Sequence, residues 1–312
     1  MEIEEIGIMS NKTLMILAGV LVVLVTGASL LWARDAGKLP TKKTSAMGVD
    51  WEQVGNNLSS VEVGKGLGVV NLVKNNEHWQ VGEYQADDRL MAELVNGIKS
   101  VGGETLVSDN ADNQHLYGVA SSSGIPVTLG TSTTKLELVV GQNAPSGGVY
   151  VRRAESNEVY VVEGLDRDAF GRTVDGWRDK TMVTVAADQV KEVRVTRPDG
   201  VMDAIKGDDG KWTMTMGVKS AILDDSTAQR LSAAFGPLTG EGFLNEDEES
   251  EFNSAKDKYQ VEVISSSGSS TSLSMVERGS EWWVKVGGVG QGYRVAGTIV
   301  GDFVLDPEVV FK

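Results

Sequence analysis

Cysteine is absent from this chain of 312 residues. That removes a disulfide framework, a thiolate nucleophile and every cysteine-based zinc or iron–sulfur site. Histidine is almost absent: His78 and His115 are the only two, too few for a histidine-rich metal centre. Proline is scarce, with 6 residues against 37 glycines. Glycine punctuating valine- and threonine-rich runs is the pattern of many turns between strands. Positive charge is also short, 29 Lys and Arg against 44 Asp and Glu, for a formal net charge of −15. Phosphate backbones need a basic face, so this balance argues against nucleic acid as a partner and against broad adsorption to anionic lipid.

Phosphate-cradling loops are missing too. No GxxxxGK[ST] stands between a strand and a helix, and no GxGxxG opens a helix. The glycine-rich stretches Gly64–Gly68 and Gly287–Gly292 are followed by β-patterned residues instead. His78 sits beside Trp79 in a strand pattern, and His115 in the polar stretch "NADNQHLYG". Neither neighbours a G-x-S-x-G elbow, so both read as surface residues. No catalytic residue, cofactor or metal ligand is assigned. The paired carboxylates Asp87-Asp88 and Asp224-Asp225 stand where helices begin, and capping accounts for them. The acid run Asn245–Phe252 lacks the EF-hand spacing and its central glycine, and reads as a solvated turn or helix.

One long apolar run is present. Leu14–Trp32, "LMILAGVLVVLVTGASLLW", carries no charge over 19 residues. At ~1.5 Å per residue it extends roughly 28 Å, enough to cross a hydrocarbon core, with Trp32 at one interface. Two readings compete, a retained anchor and a cleaved signal peptide. The apolar region of a signal peptide is usually shorter, and "TGA" at Thr26–Ala28 is a poor cleavage site, so a retained anchor over residues 13–33 is expected. Orientation is not fixed by charge. Lys12 lies upstream with Glu2, Glu4 and Glu5, while Arg34, Lys38, Lys42 and Lys43 lie downstream, which by the positive-inside count puts the C-terminal side in the cytoplasm. A start at Met9 would remove the three acids. The expectation is a tail at 1–12 on the cytoplasmic side, then the anchor, then a polar linker at 34–48.

Beyond the linker the chain runs twice through one plan. "SSVEVGKGLGVVNLVKNNEHWQV" and "ADDRLMAELVNGIKSVGGETLVSDN" are answered by "KEVRVTRPDGVMDAIKGDDGKWTM" and "LDDSTAQRLSAAFGPLTGEGFLNED". Trp79 matches Trp212, and the Asp87-Asp88 pair matches Asp224-Asp225. Leu90, Met91, Leu94, Val95 and Ile98 form a helical stripe, and Ala228, Leu231, Ala234 and Phe235 repeat it before Gly236-Pro237. Alternating strands follow each helix. The predicted fold is α+β: two tandem β-rich repeats, at 49–182 and 183–312, each an antiparallel sheet with one principal helix. Trp177, at their junction, is expected to pack between them.

The order of these elements, with "LVVGQNAPSGGVYVRRAESNEVYVV" and the closing "WRDKTMV", resembles the bacterial domain-of-unknown-function family 4340. The likeness covers roughly 49–305 and the anchor. It departs in the second copy, where "EWWVKVGGVGQGYRV" replaces the Tyr-Arg hairpin. The resemblance implies a membrane-anchored protein facing outside the cytoplasm that accompanies an ABC-type transporter, including the gliding-motility type, with a transporter permease as partner. It carries over no catalytic residue.

The hairpin in "GGVYVRRAESNEVYVVEGL" is expected to pair Val149 with Val161, Tyr150 with Tyr160, Val151 with Val159 and Arg152 with Glu158. The valines would then be buried and Tyr150, Tyr160, Arg152 and Glu158 exposed. With Trp282, Trp283 and Tyr293, this Tyr/Arg face forms a candidate contact surface. The expected function is a non-enzymatic extracytoplasmic scaffold of a transporter or envelope assembly. The alternative is a small-molecule or glycan binder with its cleft between the repeats, and an envelope hydrolase ranks last.

Overall fold

The computed structural model describes residues 45–64 and 68–312. The Leu14–Trp32 run lies outside the described residues, as do the N-terminal tail and linker residues 34–44. Among the described residues no helix is long and apolar enough to cross a membrane. Residues 45–48 close a turn, in which Gly48 N–H donates to the Ser45 carbonyl at 3.1 Å. Residues 51–312 form one compact unit.

That unit holds two nine-stranded antiparallel sheets. The first is built from β1 (Leu58–Val63), β2 (Val70–Asn75), β3 (His78–Val81), β4 (Tyr84–Gln85), β5 (Glu104–Ser108), β6 (Ile125–Thr131), β7 (Lys135–Asn143), β8 (Val149–Arg153) and β9 (Val159–Val162). Its order is β4-β3-β2-β1-β6-β7-β8-β9-β5. A short strand, β10 (Thr181–Val183), then leads to the second set: β11 (Val190–Arg197), β12 (Gly200–Lys206), β13 (Trp212–Met216), β14 (Lys219–Ile222), β15 (Leu238–Thr239), β16 (Gly242–Phe243), β17 (Tyr259–Ser265), β18 (Ser270–Arg278), β19 (Glu281–Val286) and β20 (Gly292–Ala296). The second sheet runs β14-β13-β12-β11-β17-β18-β19-β20-β16, the same order element for element. The fold is α+β and β-rich, as the sequence predicts.

Register repeats with order. Lys74 faces Trp79 across β2 and β3, and Lys206 faces Trp212 across β12 and β13. The Trp79 carbonyl accepts from Ala86 N–H at 2.9 Å, and the Trp212 carbonyl from Leu223 N–H at 2.9 Å. The same irregularity interrupts both central pairs, at Leu58/Ser60 and at Val190/Glu192.

The principal helices begin where the paired aspartates placed them. Asp87 caps Asp88–Lys99 by accepting from Arg89 and Leu90 N–H, and Asp224 caps Asp225–Ala233 by accepting from Thr227 N–H. Asp88 in the first turn and Lys99 in the last complement the helix dipole. Leu90, Met91, Leu94 and Ile98 turn to the core of the first copy, as Leu231 and Phe235 do in the second. Burial of each such side chain contributes roughly 1.5–3 kcal/mol. The helix Glu246–Ser254 and a 3-10 helix, Ala111–Tyr117, lie at equivalent places in the chain, each between the outermost short strand and the following long one.

The β8–β9 hairpin is shifted by one residue from the expected register. Val149 faces Val162, Tyr150 faces Val161, Val151 faces Tyr160 and Arg152 faces Val159. The expectation assumed one dry face and one wet face. Both faces are dry here: all four residues of β9 are buried. Val119, Tyr117 and Tyr150 pack with Val139 and Val159 on the face away from the main core. With both faces covered, the valine alternation no longer selects a register, and Tyr160 takes the inner position beside Val151.

Trp79 and Trp212 are 6% and 3% exposed at matching positions. Trp79→Ala and Trp212→Ala should each destabilise the protein by about 3–5 kcal/mol, read from the denaturant midpoint at constant slope. Unequal effects would show that the two sheets do not share a packing plan.

Candidate functional site

The residues proposed from the sequence as a contact surface are drawn into the molecule. Arg152 is 6% exposed, Tyr160 5%, Trp282 9%, Trp283 6% and Tyr293 8%. Tyr150 is half-buried, its ring centroid 4.8 Å from that of Tyr117. Tyr160 and Tyr293 occupy the same register position, facing Val151 and Val284 on the core side of their sheets. Burial raises the pKa of both hydroxyls, and Glu158 adds to the effect at Tyr160 by accepting its hydrogen bond at 2.9 Å.

Arg152 has no cross-strand acid. Its Nε donates to the Val119 carbonyl at 2.8 Å, and its Nη1 to the carbonyls of Arg153, Ala154 and Ser156 at 3.1, 2.8 and 3.3 Å. Burial lowers its pKa from the ordinary arginine value. A guanidinium donating to four backbone carbonyls ties the segment after the 3-10 helix and the β8–β9 loop to the sheet.

The second copy solves the same outer face differently. Register places Lys285 where the first copy has Arg152, Trp283 where it has Tyr150, and Arg294 where it has Val161. The acid run Asn245–Phe252 is a helix with a complete capping box between Asn245 and Glu248. It lies across the outer face of β18–β20. Arg294 Nη2 reaches both Glu248 oxygens, at 2.7 and 2.5 Å, Lys285 pairs with Glu249, and Arg278 reaches Glu251 at 2.8 Å. Phe252 packs with Leu244, Val276 and Trp283 beneath the pairs. The acids are therefore a docking face for three cations of the sheet. The sequence signal for this was the i, i+1, i+3 spacing of Glu248, Glu249 and Glu251, read there as solvation.

The histidines and capping acids have local roles. His78 is exposed, with Nδ1 3.4 Å from Asp88. His115 is exposed, its Nδ1 2.7 Å from the Asp112 carbonyl. Among the described residues no group of three His, Asp or Glu is placed to hold a metal ion. A small hollow lined by Glu93, Leu94, Gly97, Leu165, Asp166, Ala169 and Arg172 lies within the first copy.

The arrangement with the most unusual chemistry is the junction between the copies. Trp177 is fully buried, and its carbonyl accepts from Asp87 N–H at 2.8 Å. Arg178 bridges to Ala86, and Asp179 N–H donates to the Gln85 carbonyl at 2.9 Å, so this segment covers the edge at β4. The chain then passes to the second copy: β10 pairs with β15, and the Lys180 carbonyl accepts from Gly240 N–H at 2.9 Å. The Arg178 side chain is 8% exposed and lies between two rings, its Cζ 3.6 Å from the centroid of Tyr84 on β4 and 3.6 Å from that of Phe243 on β16. Its Nη1 reaches Asp175 at 2.8 Å and its Nη2 reaches Gln291 at 3.2 Å. Arg178 Nε and Trp177 Nε1 are buried with no hydrogen-bond partner. A planar, weakly hydrated cation suits such a slot, and a lysine would not. The arrangement fixes one sheet against the other. Trp177 was expected to pack between the copies; its hydrogen bond to Asp87 and the Arg172 cation on its ring lie in the first copy, and it is Arg178, with Tyr84 and Phe243, that joins the two.

The family model for Domain of unknown function (DUF4340) matches residues 79–257, more than half of the chain and spanning this junction. No curated protein and no solved structure matches.

Arg178→Ala should cost about 2–4 kcal/mol, at about 1–2 kcal/mol for each desolvated cation–π face, and should split chemical unfolding into two transitions. Arg178→Lys should recover little of the loss. A single unshifted transition in both variants would remove the clamp. A second expectation concerns acid. The hydrogen bonds from Arg294 hold the Glu248 carboxyl below its ordinary value of 4.5, while Arg294 is held above its own. The pair therefore stabilises fully above that ordinary value and less as pH falls through the depressed one. Melting temperature should drop over this acid range, and Glu248→Gln should flatten that drop. An identical pH profile in the variant would contradict the assignment.

Proposed function

We propose that this chain, which belongs to the family of the domain of unknown function DUF4340, is a membrane-anchored, extracytoplasmic, non-enzymatic module serving as an auxiliary or scaffold component of an ABC-type transporter or envelope assembly. The observation that carries the reading is the duplicated sheet held in one unit by Arg178. Two copies of a scaffold at fixed spacing offer sheet edges and faces to another protein, which is a mode of recognition built on backbone and surface rather than on a pocket. The uncharged run Leu14–Trp32 and the polar linker after it support an anchored placement. The carboxylates that acid–base chemistry would recruit first, Asp87 and Asp224, are engaged as helix caps. The aromatic platform that favoured a small-molecule or glycan binder is taken up in packing, so that reading loses its main support.

Full-length protein should stay with membranes through alkaline extraction. After mild solubilisation it should co-purify with a transporter permease at a fixed ratio. Release by alkali would count against the anchor, and recovery of intact protein with no membrane-protein partner would overturn the scaffold role.

A further inference from the structure

The internal junction brings together one edge strand of each sheet: the Arg178 segment is hydrogen-bonded along β4 of the first, and its guanidinium lies on Phe243 of β16 in the second. The opposite edges, β5 of the first sheet and β14 of the second, end their sheets with no strand beyond them among the described residues. Strand order makes these the two unmatched halves of the same junction. β5 holds in the first sheet the place that β16 holds in the second, and β14 holds the place of β4.

The correspondence extends to residues. Leu106 faces Tyr160 as Phe243 faces Tyr293. Phe243 is 8% exposed with the Arg178 guanidinium against its ring, whereas Leu106 is 49% exposed. At the other end, Ile222 faces Thr213 as Gln85 faces Gln80. The Gln85 side chain is also exposed, but its carbonyl accepts from Asp179 N–H, whereas on β14 the apolar Ile222 is 66% exposed and Val218, in the turn before it, is completely exposed. Even the clamp has its counterpart. Arg178 directly follows the helical turn Val174–Trp177, and Phe311 directly follows Pro307–Val310. The Phe311 ring lies 5.9 Å from Lys219 Nζ on β14, a cation–π pair like that of Arg178 on Tyr84 with cation and ring exchanged.

We propose that the chain associates head to tail with a second copy of itself, the β5 edge of one copy seating on the β14 edge of the next. Leu106 then meets Phe311 of the neighbour as Phe243 meets Arg178 within the chain, and Val107 comes beside the Val218–Ile222 edge. The occupant is a second copy because the surface each end lacks is the surface its other end carries. The two patches differ, so the contact is heterologous, and each pair of copies keeps one free end of each kind. Covering an exposed apolar strand edge supplies the driving force. The inference rests on the internal junction alone and is independent of the membrane placement proposed above.

The test uses the full chain in mild detergent, followed by sedimentation over about 1 µM to 1 mM, the span in which short interfaces dissociate. Wild type should grow in mass with concentration. Leu106→Arg and Ile222→Arg should each be monomeric alone, yet a mixture should form a dimer through the two intact ends. A wild type monomeric throughout overturns the proposal, as does either variant associating alone, or a mixture that stays monomeric. Because the chain has no cysteine, a second readout is available without altering the apolar patches. Thr105→Cys mixed with Ser220→Cys should be joined by a short bis-maleimide, and neither should be joined to itself. Cross-linking within one variant alone, or none in the mixture, overturns the head-to-tail geometry.

Discussion

The guanidinium of Arg178 between the rings of Tyr84 and Phe243 is the contact on which the rest of the molecule depends. Each sheet supplies one ring, and the segment that carries the cation is bonded to both copies through its backbone. Two of the three guanidinium nitrogens have partners and the third is buried without one. Such a position is tolerable because the charge is delocalised, lies flat on two π-faces and is balanced by Asp175 at its exposed side. Without it, two sheets of identical plan would be joined by a short strand pair and a linker. With it they share one relative placement.

Duplication kept the backbone and released the side chains. Strand order, the central irregularity and the tryptophan-to-strand hydrogen bond are the same in both copies, because each is set by main-chain geometry. The outer faces diverged. The first copy closes its outer face with Arg152 reaching four carbonyls around a 3-10 helix. The second keeps a cation at that place, Lys285, puts Arg294 where the first has Val161 and Trp283 where it has Tyr150, and closes the face with an acidic helix on three cations. Both solutions give a buried or half-buried cation hydrogen-bond acceptors, one with carbonyls and one with carboxylates.

What the sequence made legible follows from the same division. The strands, the capped helices and the duplication itself were readable because alternation, Asp caps and Gly-Pro stops are local signals. The hairpin register was not. Its valines alternate, but a 3-10 helix distant in sequence covers the outer face, so the assumption of a wet side failed at Tyr160 and Arg152. The strands β4, β5, β15 and β16 are short and defined by their neighbours, and a two-residue strand such as Gly242–Phe243 has no period to detect. Trp177 announced the junction by its position between copies. Arg178 did not, since an arginine beside an aspartate and a lysine reads as surface charge until Tyr84 and Phe243 are brought to it.

A scaffold role for this family member requires that the two copies behave as one body, because only then are their edges and faces presented at fixed spacing. Native-state hydrogen exchange reports that directly. The amides of Asp87 and Asp179, whose acceptors are Trp177 and Gln85, hold the junction segment on the first copy, and the amide of Gly240, whose acceptor is Lys180, holds it to the second. The account predicts that they exchange only with the global unfolding free energy, together with amides at the centres of β1 and β11. Exchange of these three through a local opening far below that energy, with both sheet centres still protected, would contradict it.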